Sequence, residues 1–550
     1  MPTINLNKKA FEKLIGRVLP LEKLKDRISY LGTDLEKIEG NEIIVEVFPD
    51  RPDMLSIQGF ARAFSSFIGS KKGLRKYIVK KSNYKVVIDK SVKNIRPYTA
   101  CAIVKNISFD NEKIKEVVQI QEKLHITYGR NRKKAAIGIY PFEKIKPPIR
   151  FIARKPEEIK FQPLEFSREI NGRQILSQHP AGREYGSLLE GLSKYPIFID
   201  ANNEILSMPP IINSHKTGKI TEQTKDIFVE CSGFDFHVLA ICLNIIVTAL
   251  ADMGGKIYSM ELIYPGKKIV CPNLEPRKIL FNLVAMNTWL GLNLKERDAK
   301  NYLQRMGYGY SKGQVLVPAY RADVLHEVDI FEDIAIAYGF ENFKEEIPNV
   351  ATIGEEDGFE KFKNKIAELL IGFNLIEISS YNLTNKQDML DKMNIKMDYV
   401  ELENASSDYN VLRTWLIPNA LKILKENKRY DYPQRLFEIG TIFKKNLKEE
   451  TGIEENTRVS VVVSHSTAGY TEIKQILDTL LSNLSLKYSI METEHNSFIP
   501  GRVGRVIVNE RKIAYIGEIH PQCLENFTLE MPVAAFELNL TDIFKIINKE

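Results

Sequence analysis

The segment VPAYRADVLHEVDIFEDIAIAYGF, residues 317–340, sets Asp323, Glu327, Asp329, Glu332 and Asp333 within eleven positions, beside an apolar run. In a helix beginning near Leu325, Asp329, Glu332 and Asp333 stand at i, i+3 and i+4 and share a face. Ile330, Ile334 and Ala337 cover other directions and are available for burial. Like charges at that spacing repel. A hard divalent cation between them removes the repulsion, because Mg²⁺ takes oxygen from one or two carboxylates and keeps waters. Asp323 reaches the same point from the end of the preceding strand. The same pattern also describes solvated acids favoured at a helix N-terminus, and spacing alone leaves both open.

Just upstream, PRKILFNLVAMNTWLGLNLKERDAKNYLQRMGYGY (276–310) predicts two helices divided by Gly-Leu-Asn, and GQVLVPAY (313–320) a strand. Helix, turn, helix and strand pair over 269–345 make a winged-helix-like unit. Likeness of fold alone assigns no ligand, and LKERDAKNYLQRM is too mixed in charge for the basic recognition helix of a transcription factor.

Further out, residues 1–91 predict a small α+β unit, with a strand in NEIIVEVFP (41–49) and a helix in DMLSIQGFARAFSSFIG (53–69), joined by the turn PDRPD. The basic run KKGLRKYIVKKSNYK (71–85) has the composition of a linker or an exposed edge. From 92 to 268, β-branched runs alternate with turn residues, which fits an α+β domain with antiparallel sheet; Val238–Ala251 is a buried helix. Residues 350–550 open with a helix whose apolar face is Phe359, Phe362, Ile366, Leu369, Leu370 and Phe373. Long strands follow at 435–443, 458–465, 504–520 and 533–540, predicting a large antiparallel α+β domain.

At 550 residues, with 44% hydrophobic and 27% charged side chains, the chain is globular and long enough for several cores. A net charge of +6 is too small to prove a polyanionic partner. The run at 71–85, with seven basic residues and no acid, and YGRNRKK (128–134), with four, are nevertheless a usable footprint for phosphates, or else solvated surface. Five scattered cysteines without a C-x-x-C pair give neither a disulfide framework nor a zinc site. The N-terminus has no apolar signal core and no run is long enough to span a membrane, so a cytoplasmic protein is expected. There is no phosphate-binding G-x-x-x-x-G-K-[ST], no G-x-S-x-G and no H-E-x-x-H. His215 beside Ser214 is more simply a loop hydrogen-bonder than part of a hydrolase.

The segment YRADVLHEVDIFEDIAIAYGF closely resembles the metal-binding region of the phenylalanyl-tRNA synthetase β-subunit family, and other segments agree in order. FPDRPDMLSIQGFAR (48–62) resembles the family's Asn/Asp-Arg-Pro-Asp signature, and YGRNRKKAAIGIY (128–140) its Gly-Arg-x-Arg segment. LSMPPIIN (206–213) and TKDIFVECSGFD (224–235) resemble its editing strands, and DYNVLRTWLIPNAL (408–421) with RLFEIGTIF (435–443) its catalytic-like domain. The resemblance covers nearly the whole chain. Lacking the N- and C-terminal additions of the bacterial form, the chain looks like the archaeal or eukaryotic cytosolic type.

The resemblance implies an editing-type domain, a winged-helix-like metal-binding domain and a class II synthetase-like domain without catalytic motifs. It carries Mg²⁺ onto Asp323, Asp329, Glu332 and Asp333, in a structural role. It implies an α subunit that binds ATP and phenylalanine, an assembly of two α and two β chains, and the phenylalanine tRNA as partner. The 359–373 helix would serve as interface. Class II sites hold ATP phosphates with arginines; RLFEIGTIF keeps Arg435 and Glu438, but FELNLTDIFKIINKE (536–550) has no Gly-rich run and no arginine. Editing of mischarged Tyr-tRNA is implied for Asn213, Ser214, Glu230, Ser232 and Asp235. Tyr140-Pro141 stands where the family usually has His-Asp, and Cys231-Ser232 where Val-Thr is common, which leaves open whether a side chain or the substrate activates water. A free-standing tRNA-binding or deacylating factor is the alternative, against which the full-length synthetase-like C-terminal domain argues.

Overall fold

A computed structural model of the chain describes residues 2–347, 349 and 354–548. These form two compact units, 1–347 and 348–550; part of the expected boundary at 345–350 and the last two residues lie outside the described residues.

The first unit begins with a three-stranded antiparallel sheet of Thr3–Asn7, Glu42–Glu46 and Asp34–Glu39, with Glu42–Glu46 in the middle. The helix Lys8–Ile15 starts where Asn7 accepts a hydrogen bond from Ala10 N and ends at Gly16 with φ 72°. Its Phe11 packs on Phe60 and Phe64 of the helix Ile57–Phe67, ring centroids 5.6 and 5.3 Å apart. Ser56 caps that second helix. The preceding PDRPD turn presses so closely on it that a Cβ at Gly59 would overlap the Asp53 carbonyl.

Two sheets follow. One runs Val79–Lys80, Lys256–Tyr258, Tyr98–Lys105, Ile227–Gly233, Ala135–Pro141. The other runs Ile212–Asn213, Ile205–Met208, Tyr195–Ile199, Ile149–Arg154, Lys85–Ile88, Met260–Tyr264, Lys267–Cys271. The expectation of a purely antiparallel sheet is corrected here. Lys85–Ile88 pairs in parallel with both Ile149–Arg154 and Met260–Tyr264, and Val79–Lys80 in parallel with Lys256–Tyr258. Within the basic run Val79–Lys80 is the edge strand of its sheet, which is the exposed-edge alternative, and the lysines stay outside; just beyond the run Val86 and Ile88 are buried. The domain thus takes in residues before the expected start at 92. The apolar run Phe236–Asp252 is a helix buried over most of its surface, as its composition predicts. Among the described residues no helix is long and apolar enough to cross a membrane.

The remainder of the unit is strand, helix, helix, strand, strand, helix. Arg277–Leu280, expected as the start of a helix, is instead a strand, paired with Gln314–Val317, which pairs in turn with Gly309–Ser311. Leu283–Leu290, Glu296–Arg305 and Glu327–Tyr338 are the helices.

The second unit is built on a seven-stranded sheet: Ile376–Glu377, Gln434–Lys445, Ile453–Ser464, Val533–Asn539, Arg511–Ile519, Phe498–Val508, Ser489–Glu492, antiparallel except at the first pair. The helices Gly358–Gly372, Tyr470–Asn483 and Leu540–Ile547 cover one face. Phe362, Ile366 and Leu370 pack there with Val459, Val461 and Phe536. The apolar face of the first helix is thus spent inside its own unit, which corrects its expected role as interface. On the other face Trp415, Leu436, Val462 and Phe498 form a separate core.

Candidate functional site

Strand alternation and one glycine build a cavity of the first unit, about 380 Å³, between the helix Asn111–Ile126, the strands Ala135–Pro141 and Ile227–Gly233, and the segment 207–220. Glu230 lies opposite Gly138 in the ladder. A side chain at Gly138 would overlap both Tyr140 Oη and Glu230 Oε1. Its absence lets Tyr140 Oη come within 3.1 Å of Glu230 Oε1 while donating to Ser207 Oγ at 2.8 Å. Glu230 is 2% exposed, and its Oε2 is buried without a hydrogen-bond partner.

Burial pushes the Glu230 carboxyl up to about 8, against the opposing pull of Tyr140, Arg96 and Ser232. At neutral pH it is mainly a protonated acid. The one proton of Tyr140 has two acceptors within reach, Ser207 Oγ and Glu230 Oε1.

The rim carries an ion pair, Arg132 with Glu122. Arg132 donates to Pro210 O at 3.2 Å, to Ile211 O at 2.8 Å and to both oxygens of Glu122 at 3.2 Å, with its guanidinium 4.2 Å from the Tyr185 ring centroid. It is delivered by three consecutive left-handed residues, Arg130, Asn131 and Arg132 (φ 48°, 51° and 64°), a conformation that costs non-glycine residues energy and is held here by these contacts. His125 Nε2 accepts from Ile137 N at 2.8 Å, so the proton sits on Nδ1, 3.2 Å from Glu122 Oε1. Burial lowers His125, keeping it neutral. Burial would raise Glu122, but His125 and Arg132 hold it at about 2.

Of the five residues implied for editing, Asn213 and Glu230 line the cavity and the other three do not. Ser214 N bonds back to Leu206 O in the sheet. Ser232 accepts from buried Arg96 Nε at 3.1 Å and stands behind Glu230. Asp235 accepts from His237 N and caps the helix Phe236–Asp252. In their place the cavity brings in His125, Arg132, Ser207 and His215, whose Nδ1 is buried without a partner. The segment YGRNRKKAAIGIY contained Arg132 and LSMPPIIN contained Ser207, though neither marked the residue itself; nothing local to the sequence marks His125.

At the acidic helix, Arg321 is the first counter-charge. Its Nε and Nη2 bind Asp323 Oδ1 and Oδ2 at 2.8 and 2.5 Å, and Nη2 also reaches Asp333 Oδ2 at 2.8 Å. Buried Tyr308 donates to the same Asp333 oxygen. Asp329 Oδ2 accepts from Leu325 N and His326 N, both at 2.7 Å, tying down the helix entry. Glu332 is exposed and raised, first by partial burial and then by Asp333, Asp50, Asp329 and Asp323. Among the described residues, no three or more His, Cys, Asp or Glu side chains gather closely enough to hold one ion. The donor set still suits a hard cation. It is all oxygen, Asp329 and Asp333 each keep an oxygen outside these contacts, and no hydrogen bond or ion pair among the described residues engages Glu332.

In the second unit, alternation along Gln434–Lys445 separates Arg435 from Glu438. Arg435 lies on the helix-covered face, 2.6 Å from Glu472, which also meets His465 at 2.7 Å. Glu438 faces the other way and is bound by Arg413 at 2.6 Å and by Ser380. The Glu438–Arg413 pair is buried and the Arg435–Glu472 pair is partly exposed.

The chain matches three family models: the B3/4 domain at 81–241, the tRNA synthetase B5 domain at 279–340, and the phenylalanyl tRNA synthetase beta chain CLM domain at 344–540. Together with the class of sheet they fall on, these mark an aminoacyl-tRNA synthetase chain. Curated phenylalanine–tRNA ligase beta subunits align end to end with it: 40% identity for that of Thermococcus sibiricus (99% of each chain), 40% for Pyrococcus abyssi (99% of this chain, all of that one) and 36% for Archaeoglobus fulgidus (99% of each). The chain belongs to the phenylalanine–tRNA ligase beta-subunit family. A crystal structure of an N-terminal fragment of the phenylalanyl-tRNA synthetase beta subunit of Pyrococcus horikoshii superposes with a TM-score of 0.59 at 39% identity, over 62% of this chain and all of the fragment.

Proposed function

We propose that this chain is the non-activating half of a cytoplasmic phenylalanine–tRNA ligase. A separate α subunit binds ATP and phenylalanine in an assembly of two α and two β chains, and the β chain binds the tRNA and clears tyrosine wrongly attached to it. Full-length relatedness supports the first part and counts against a free-standing deacylating factor. The observation that carries the second part is Glu230: a buried, neutral carboxyl with one oxygen unpartnered, lining a cavity whose walls include apolar groups such as Val117, Ile137 and Ile139.

Tyrosine differs from phenylalanine by one hydroxyl, and a pocket built for phenylalanine rejects it only partly. A second pocket that hydrogen-bonds the hydroxyl discriminates strongly, because without it a buried polar group is left unpaired. Glu230 supplies that group, steadied by Tyr140 and Ser207, and Asn213 and His215 offer further polar contacts to the ester end. Ser214, Ser232 and Asp235 act through the framework, Ser232 by holding Arg96 behind Glu230. His125, with both ring nitrogens engaged, is a strut and not a base.

Mg²⁺ belongs at Asp323, Asp329, Glu332 and Asp333, where it would neutralise charge that Arg321 leaves uncompensated; its part is structural, fixing the helix Glu327–Tyr338.

The test of the editing assignment is deacylation of preformed Tyr-tRNA and Phe-tRNA by the assembled enzyme, with aminoacylation in parallel. Glu230→Ala should lower Tyr-tRNA hydrolysis by about two orders of magnitude and leave aminoacylation intact. Undiminished Tyr-tRNA hydrolysis would place recognition elsewhere.

A further inference from the structure

On the sheet face of the second unit opposite its three helices, a cavity of about 170 Å³ is lined by cations from four strands: Lys444, Arg458, Arg505 and Lys512. The register brings them together. Arg458 pairs with Asn539 and Gly440, Lys444 with Glu454, and Arg505 with Tyr515.

The acids in the wall are already committed. Glu537, 4% exposed, accepts from Leu416 N at 2.7 Å, Ile417 N at 3.2 Å and Arg458 Nη1 at 2.9 Å. Glu454 accepts from Asn446 and Asn456, and Asp542 from Asn539. The cations are less well served. Arg505 lies flat on Tyr515, 3.9 Å from the ring centroid, and donates to Lys512 O, but its Nε is buried without a partner, as is Arg458 Nε. Among the described residues no hydrogen bond or ion pair engages the Lys444 ammonium, which lies near Glu454 and Glu537. Burial lowers Lys444 and Arg505; Arg458 and Arg505 lower Lys444 further against the pull of Glu454 and Glu537, and Arg458 lowers Arg505 against that of Tyr515. Four cations outnumber three carboxylates around this enclosed space, and two guanidinium Nε–H groups have no acceptor, which leaves the site short of an anion.

We propose that this cavity binds a phosphate group, held by Lys444, Arg458 and Arg505. A tetrahedral dianion satisfies several cationic donors at once, and guanidinium forks match its geometry. The enclosed volume limits the seat to one phosphoryl-sized group; anything larger attached to it extends out of the cavity. This is a site separate from the editing cavity, on the other unit, and independent of the editing assignment.

The experiment is titration of the full chain with inorganic phosphate, read by calorimetry and by thermal shift, against sodium chloride at matched ionic strength; AMP and ATP form parallel arms. Saturable phosphate binding, weakened at least about tenfold by Lys444→Gln and by Arg505→Gln, is expected. Lys444→Gln is the safer variant, since Lys444 makes no packing contact of the Arg505–Tyr515 kind, and its melting temperature in chloride should match wild type. Tighter binding of AMP or ATP with the same sensitivity to both variants assigns the phosphate to a nucleotide; binding of orthophosphate alone assigns it to a free anion. Equal shifts with chloride, or phosphate binding indifferent to both substitutions, would overturn the proposal.

Discussion

Glu230 gives the pocket its pH dependence. An isolated glutamate titrates at 4.5, and this one, in the fold, at about 8. Between those values the folded chain holds a proton that the unfolded chain has lost, so stability falls as pH rises through the window and is greatest below it. Glu230→Gln, which keeps the shape and the neutral hydrogen-bonding group, should flatten that decline when melting temperature is followed from pH 5 to 8; an unchanged slope would mean the carboxyl is ionised in the fold. Gly138→Ala tests the same contact sterically. With a methyl driven into Tyr140 Oη and Glu230 Oε1, the variant should lose about 1–3 kcal/mol in chemical denaturation and Tyr-tRNA hydrolysis with it. Site residues were only partly legible at this scale. Glu230 could be found from its motif because strand parity turns it inward. Ser232 shares that parity but is screened by Arg96, and Asp235 has passed the strand's end and become a helix cap. His125 and Ser207 come from distant segments, and only the tertiary fold brings them to Glu230.

At the level of elements, charge and apolar surface were legible but their partners were not. The acids of 323–333 did form a helix entry, yet their nearest cation is Arg321 from the same motif, a pairing no helical spacing discloses. Removing one side of a buried pair strands the other, so Arg321→Met should destabilise the first unit by about 3–5 kcal/mol, seen as a lowered denaturation midpoint. If Mg²⁺ adds to this, wild type should melt higher in Mg²⁺ and Asp329→Ala/Glu332→Ala should not respond, since a ligand of the native state must stabilise it; equal responses would reduce these residues to solvated helix-start acids. The helix Gly358–Gly372 makes a contrary point. Its apolar stripe was plain, but a stripe does not say whether it meets its own sheet or another chain. Because Leu370 is fully buried in the second unit, Leu370→Ala should cost about 2–5 kcal/mol in the isolated chain. The strand Lys85–Ile88 was hidden for the opposite reason: lysines on its exposed flank masked three apolar positions.

Across the whole molecule, segment order alone was enough to suggest the family, because signatures from end to end agree, while sheet topology was not, since parallel pairings between residues some sixty and one hundred and seventy positions apart leave no local trace. The proposed division of labour keeps a synthetase-type sheet on this chain and its chemistry on the α subunit. Arg435 pairs with Glu472 on the helix-covered face and Glu438 is bound by Arg413 on the other, so the two are engaged on opposite sides of the sheet and do not face one phosphate. Phenylalanine-dependent ATP–pyrophosphate exchange tests this most directly, measured with the purified chain alone and after mixing with its α partner. The mixture should exchange and the chain alone should not; exchange by the chain alone at the rate of the mixture would contradict the account.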